Sequence, residues 1–544
     1  MPANCSAALA ALRTVAEECQ TLAAGFSDEE AAEGLAITVG LRALFQRPAS
    51  TPAAVAGLAA QLPELLTVVP PELLSIILSQ LDIRALACLA ATCRLLWFDA
   101  STPSPALPTP GLVETELRRR AQARGLHIGS SLPEGALSWV TCLLKREFYY
   151  ALRREAPLAA GHLHSLFVDR GGRLHIACPR AEIYAGKVGE PLLGHDFGSA
   201  SGDSTLPVLP MLAPSMQDKR IVSVDSGDNH CLALSAEGEV YSWGNGSYGL
   251  LGHADGSARV GPRRIEMLEG VEVIAAGAFN SAAVDDRGRL FTWSTGAMGG
   301  KPAGLGYELD PETECQLLPK RVDALSEDRV VGVALGYGFT LAVADAGAVF
   351  SFGYCNGGEL GHGLFTSEVL PRRIEALAET GLRFVAVAAG DYHSLALTEE
   401  GQVYGSGYID DNGHGKTQRT PQLVALLAGK PVKLVYAGGS SSCAVTEKGE
   451  LYTWGEGRHR YTNFNFGHGV ADGQQTPKRV EALSGVKVAT AAICSSHTVV
   501  AGEDGAVWGF GVRGALGLGE ADAPSWANVV QPTPIPNIRM RTLP

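Results

Sequence analysis

The chain predicts a mainly β protein: a seven-bladed β-propeller preceded by a small all-α N-terminal region. One short phrase recurs seven times between Gly161 and Gly511, as in Gly227-Asp-Asn-His230-Cys-Leu-Ala-Leu and Gly390-Asp-Tyr-His393-Ser-Leu-Ala-Leu. Its histidine position serves as an anchor: His164, His230, Asn280, Phe339, His393, Ser441 and His497. Eight residues later every copy has glycine (Gly172, Gly238, Gly288, Gly347, Gly401, Gly449, Gly505), and three beyond that an aromatic ring (His175, Tyr241, Phe291, Phe350, Tyr404, Tyr452, Trp508). Offsets held through seven copies define a repeat architecture. Ahead of the repeats, the apolar period changes from strand-like to helical.

In chain order, residues 1–60 are Ala- and Leu-rich with helical period, and Glu17, Glu18, Asp28, Glu29, Glu30 and Glu33 argue against a transit peptide. Pro/Ser/Thr/Ala linkers at 48–52 and 100–110 bracket the next unit, residues 61–100. There Pro71 suits the first turn of a helix, and Leu73, Ile76, Ile77 and Leu81 follow at helical spacing. After Asp82 a second helix carries Leu86, Leu89 and Cys93. So few short helices cannot enclose this apolar surface, and a partner is the natural remedy. Residues 101–156 form a linker and helical connector, with Arg118, Arg119 and Arg120 expected on a solvated face.

Residues 157–544 hold the repeats. The apolar run after each anchor suits a strand covered on both faces. The glycine eight residues on closes a hairpin that needs positive φ. The return strand brings Trp243-Gly244 or Trp454-Gly455, an indole to fill space and a glycine to admit close backbone approach. Anchor spacings of 48 to 66 residues allow four strands per unit. Such a unit has two apolar faces and buries both only by stacking in a ring. Cys178 and Ser294 stand where glycine is expected fourteen residues after the anchor. The first copy lacks an obvious strand before its anchor, so Ile535–Met540 is expected to complete that blade and lock the ring.

Net charge is −13 and the isoelectric point near 5.5, which disfavours a nucleic-acid backbone as ligand. Eleven cysteines lie scattered without a Cys-x-x-Cys pair, as in a reduced cytoplasmic or nuclear compartment. No apolar run approaches the roughly 20 residues of a membrane helix.

Two resemblances sharpen this. The anchors, the Leu-Gly-His turns (Leu251-Gly252-His253, Leu360-Gly361-His362) and the Pro-x-Arg/Lys-Ile/Val tails (Pro371 to Ile374, Pro477 to Val480) resemble the regulator of chromosome condensation repeat family. The Pro71-Glu72-Leu73-Leu74 opening, Ile77-Leu78-x-x-Leu81 and Leu86-x-x-Leu89-x-x-x-Cys93-Arg94 resemble an F-box, with Val69 where a leucine usually stands. Together they resemble plant and algal proteins of this combined type. The F-box resemblance implies contact of Pro71, Leu73, Leu74, Ile77, Leu78, Leu81, Leu86, Leu89 and Cys93 with an Skp-type adaptor, and through it with a cullin ligase. The chain would then be a non-catalytic receptor whose propeller binds a client protein. The alternatives are a guanine-nucleotide exchange factor for a Ran-like small GTPase and a propeller scaffold for protein interactions. Photoreceptor members of the repeat family place tryptophan two residues before the anchors. Here those positions hold His162, Asp228, Ala278, Tyr337, Asp391, Gly439 and Ser495, which argues against that activity.

No catalytic constellation, cofactor motif or metal site is expected. The histidines at anchors and in Gly-His turns (His253, His362, His414, His468) recur at fixed places, and each is expected to satisfy groups of its own blade. Residues just before the anchors should project together as a client-binding face: His162, Asp228, Asn229, Phe279, Tyr337, Asp391 and Tyr392. Two insertions, Thr295–Cys315 and Gly455–Gly469, are candidates to add contacts, the second as a basic aromatic loop or a mobile tip.

Overall fold

The computed structural model describes residues 112–123, 143, 149, 155–162, 164–177, 210–298, 300–309, 314–408, 416–455, 466–470, 473–518 and 527–540. The chain divides into two units, Met1–Ala151 with Pro544, and Leu152–Leu543. The nine adaptor-contact candidates from Pro71 to Cys93 lie outside the described residues, as do Cys178 and His414.

In the first unit, Leu112–Ala123 is an α-helix that buries Leu117 and Ala121, one turn apart. Its arginines are not the freely solvated run expected. Arg118 reaches back to Glu114 at 2.8 Å, while Arg119 and Arg120 both grip the buried Glu116 at 2.7 and 2.9 Å. Spacings of three and four residues place each acid beneath its base.

The second unit is a ring of seven four-stranded antiparallel sheets, made from consecutive strands in every blade but the third, where a small two-stranded hairpin interrupts the order. Blade 2 is representative: Ile221–Ser226, His230–Ser235, Val240–Gly244 and Arg259–Arg264. The first strands of successive blades pack side by side all the way round, last to first, so they line the axis. Outermost strands carry Pro262, Pro319, Pro371, Pro421 and Pro477. At a sheet edge a missing N–H breaks no ladder bond.

The hairpin glycines behave as their position requires. All seven, from Gly172 to Gly505, have φ between 76° and 88°. The hairpins are also tied by a side chain five residues after the anchor, which accepts the N–H four residues further on. Asp169, Ser235, Asp285, Thr398 and Thr446 all do this. At the second glycine position, Gly407 has φ 107°, and a Cβ there would lie 2.3 Å from the Tyr392 carbonyl oxygen. Ser294 occupies the equivalent place at φ 139°. Its hydroxyl donates to the Phe279 carbonyl, the backbone group that crowds this position.

The core lies between blades. Trp243 packs against Leu166, Val168 and Ile176 of blade 1, and Trp293 against Val240 and Ile265 of blade 2. Phe352 and Phe510 fill the same position in blades 4 and 7, each against the blade before it. Large rings here fill the wedge that opens between radiating sheets.

Ring closure differs from expectation. Blade 1 has its own first strand, Leu158–Ala160, paired with Ser165–Val168, so no C-terminal strand completes it. The last strand, Asn528–Pro534, is instead the outer edge of blade 7. The segment after it forms a clasp. Ile535, Ile538 and Met540 bury beside Leu158, Phe167 and Val507, and Met540 bridges Asp169. Arg170 donates to the carbonyls of Met540 (3.2 Å) and Asp504 (2.7 Å). The sequence signal was missed because Pro157-Leu-Ala-Ala160 is too short to show alternation.

Anchor histidines also depart from expectation, for they bond across blades rather than within them. The Nε2 of His230 meets Ser281 Oγ at 2.7 Å, His393 meets Ser442 at 2.6 Å and His497 meets Ser165 at 2.7 Å. Each hydroxyl follows the anchor of the next blade. Ser281 and Ser165 give their single protons to the carbonyls of Leu250 and Ala515, at 2.9 and 2.7 Å. His230 and His497 must therefore donate, which fixes their Nε2–H tautomer. His164 likewise crosses to blade 2, contacting Cys231 Sγ at 3.1 Å and the Ser226 hydroxyl. Histidines of the Gly-His turns stay within their blades: His253 on Ser242, His362 on Ser351, His468 on Thr453, at 2.9 to 3.0 Å.

Two outcomes follow from this architecture. Met540→Ala should lower stability by about 2–3 kcal/mol, measured as a lower unfolding midpoint; an unchanged midpoint would place closure elsewhere. Burial pulls His230 down to about 4, and His393 and His497 to about 3. The unfolded chain takes up protons near the ordinary pH 6.5 that the folded ring refuses. Stability from these neutral rings is thus complete above pH 6.5 and lost as pH falls toward the folded values. At pH 5 each refused proton costs about 2 kcal/mol. The melting temperature should fall between pH 7.5 and 5, and His393→Gln, which can donate to Ser442 without titrating, should fall less steeply. Parallel slopes would refute the assignment.

Candidate protein-recognition face

The anchor fixes what stands just before it. The second strand begins at the anchor in blades 2 to 7 and one residue after it in blade 1, so the preceding two residues emerge at one end of the ring. The carbonyl one residue before the anchor accepts the N–H fifteen residues after it. Asn229 accepts from Asn245, Gly338 from Tyr354 and Tyr392 from Tyr408, each at 2.8 Å. Residues at both positions therefore share one face.

Three of the seven candidate residues come together there as an arc over blades 3, 4 and 5. The rings of Phe279 and Tyr337 stand edge to face, 5.0 Å between centroids and 87° between planes. Tyr337 and Tyr392 are 5.4 Å apart and tilted by 40°. All three rings are half-buried. Burial first, then the carboxylates of Asp391 and Asp228, raise the Tyr337 phenol above its ordinary value. Burial likewise lifts Tyr392 to about 12, helped by Tyr337 and Asp391. Both hydroxyls stay protonated and able to donate.

Asp228 and Asn229 are exposed. The charge of Asp228 acts on both Tyr337 and Cys494, which belong to blades two steps away in opposite directions. His162 lies apart from the arc, at the junction with blade 7, where its carbonyl accepts from Ser496. Blades 6 and 7 offer only Gly439, Ser440, Ser495 and Ser496 at these positions. The face is therefore lopsided, aromatic on one side and small on the other.

Sequence reasoning missed three residues of this face. Tyr354 and Tyr408 join it from the position fifteen after the anchor, a pairing that the repeat offsets could have revealed. Lys301 arrives on the first insertion, where Ala297–Met298 and Lys301–Pro302 form a small hairpin. Its ammonium lies 4.9 Å from the Tyr354 ring centroid, within cation–π range. In the second insertion Phe466 is buried and its carbonyl accepts from Thr453, so this ring belongs to the core and not to a mobile tip. The preceding residues 456–465 lie outside the described set. Among the described residues, no three His, Cys, Asp or Glu side chains gather as a metal site.

A family model described as the RCC1-like domain matches residues 149–472, and one described as the regulator of chromosome condensation (RCC1) repeat matches 448–501. The E3 ubiquitin-protein ligase HERC2 of Homo sapiens is 40% identical over 344 residues, 61% of this chain but 7% of HERC2. The ultraviolet-B receptor UVR8 of Arabidopsis thaliana is 34% identical over 297 residues, 53% of this chain and 64% of UVR8. The chain thus spans less than two thirds of each of these relatives. Among solved structures, Prp20p of Saccharomyces cerevisiae, studied for its binding to Gsp1p and histones, superposes with a TM-score of 0.50 at 24% identity over 60% of this chain and 80% of Prp20p. Human WBSCR16 gives 0.51 at 22% over 63% and 85%. These two share the fold. On the match across residues 149–472, the chain belongs to the RCC1-like domain family.

Proposed function

We propose that this chain is a non-catalytic receptor in an Skp/cullin/F-box ubiquitin ligase, its N-terminal helices holding the adaptor and its propeller a client protein. The observation that carries the client half is the aromatic arc of Phe279, Tyr337 and Tyr392 beside Asp228 and Asp391, on a rigid face. Aromatic rings with polar tips supply contact area at small entropic loss, which is what recognition surfaces select. The adaptor half is supported by the F-box resemblance of residues 66–97. Catalysis would belong to a partner conjugating enzyme, and the receptor's contribution would be proximity. Prp20p, with its reported binding to Gsp1p, favours a second reading as an exchange factor for a small GTPase, by fold analogy alone.

Affinity purification of the full chain, with proteasome function blocked, separates these readings. Recovery of an Skp-type adaptor should be lost in Leu74→Asp with Leu81→Asp and kept in Tyr337→Ala with Tyr392→Ala, while bound clients show the reverse. Purified chain that recovers no adaptor but releases labelled GDP from a Ran-like GTPase would replace the ligase reading with exchange. If neither result is obtained, a scaffold remains.

A further inference from the structure

The receptor reading leaves open what chemistry the face selects, and the inference here rests on that reading. Of the fourteen positions one and two residues before the seven anchors, Asp228 and Asp391 carry the only formal charges, and both are negative. Both carboxylates act on the Tyr337 phenol, and no lysine or arginine occupies any of these positions. An aromatic face presents a negative quadrupole, and a carboxylate beside it adds to the same potential. The face already accepts a cation from the chain itself, because Lys301 of the blade 3 insertion crosses to the Tyr354 ring of blade 4. A net charge of −13 favours the same sign of partner at long range.

We propose that the arc of Phe279, Tyr337 and Tyr392, with Asp228 and Asp391, binds an extended basic segment of a partner protein through an arginine side chain. The planar guanidinium stacks on a tyrosine face and donates in a fork to a carboxylate, a pair of contacts that an ammonium does not make together. Tyr337 and Tyr392 supply the stacking surface and Asp391, next in sequence to Tyr392, the acceptor. The small residues of blades 6 and 7 leave room for the segment's backbone to cross the ring.

The test uses the full chain and a fluorescein-labelled glycine–serine peptide bearing two arginines, with citrulline and glutamate versions as controls. Fluorescence anisotropy should show saturable binding to the arginine peptide, weakened about tenfold or more by citrulline and weakened by added salt. Asp228→Asn with Asp391→Asn should give a similar loss. Tyr337→Ala with Tyr392→Ala should abolish binding, and Tyr337→Phe with Tyr392→Phe should retain it, which guards against a folding defect. Equal affinity for arginine and citrulline peptides, no saturable binding, or indifference to the alanine pair would each overturn the proposal. If clients still depend on Tyr337 and Tyr392 while arginine and citrulline bind alike, only the arginine specificity falls. If clients ignore these residues, the receptor face itself is misplaced.

Discussion

A neutral imidazole donating across a blade boundary is the contact on which the ring's geometry depends. Each sheet has two apolar faces, and apolar burial alone is non-directional; it does not set the height of one blade against the next. The His230–Ser281, His393–Ser442 and His497–Ser165 bonds do set it. They sit in fully buried surroundings, where an unmatched polar group costs about 1–3 kcal/mol, so a vertical slip of one blade is penalised at once. Proton donation by the imidazole also requires the serine to find a second acceptor, and the turn carbonyl of the preceding blade provides it. One side chain thus coordinates strand, turn and neighbour.

That registration is what makes a face out of seven loops. Residues ahead of the anchors have little secondary structure of their own, yet their backbone is held at both ends, by the anchor and by the N–H fifteen residues later. Rings from three blades therefore meet at 5.0 and 5.4 Å without belonging to one sheet. A recognition surface built this way loses little conformational entropy on binding, because its side chains are already half-packed against each other.

The propeller was legible because its constraints are periodic. A glycine at positive φ, an aromatic on the return strand and a proline at the outer edge each obey one local rule and recur in register. Ring closure was not legible. Three residues, Leu158 to Ala160, suffice to begin blade 1 because the axis-lining strand is covered by blades 2 and 7, and so short a run carries no period. The histidines of the Gly-His turns bond within their blades, but the anchor histidines do not, since sequence offsets show what repeats and not whether a bond stays inside the repeat. Within the face, Phe279, Tyr337 and Tyr392 could be named from position. Tyr354, Tyr408 and Lys301 needed the cross-strand pairing and the path of the hairpin, which are tertiary facts. His162, placed in the same set, is drawn aside by the blade 1–7 junction.

Two of the three blades that carry the arc, blades 3 and 4, lack the anchor histidine. Blade 3 has Asn280, whose amide reaches Thr340 of blade 4 at 3.5 Å, a far weaker contact than the histidine bonds. Blade 4 has Phe339, buried completely and unable to donate at all. The first insertion supplies the turn carbonyl at the blade 3–4 boundary, as Leu250 and Ala515 do elsewhere. Gly304 lies so close to Phe339 that a Cβ would come within 2.9 Å of its Cα, and the Gly304 carbonyl accepts the Thr340 hydroxyl at 2.7 Å. The segment that supplies this turn carbonyl to blade 4 is the same one that lays Lys301 over Tyr354. One inserted segment thus serves both the register of blade 4 and the aromatic surface over blades 3 to 5. Recognition and ring stability are therefore coupled at this boundary, and substitutions in the hairpin should be read for both.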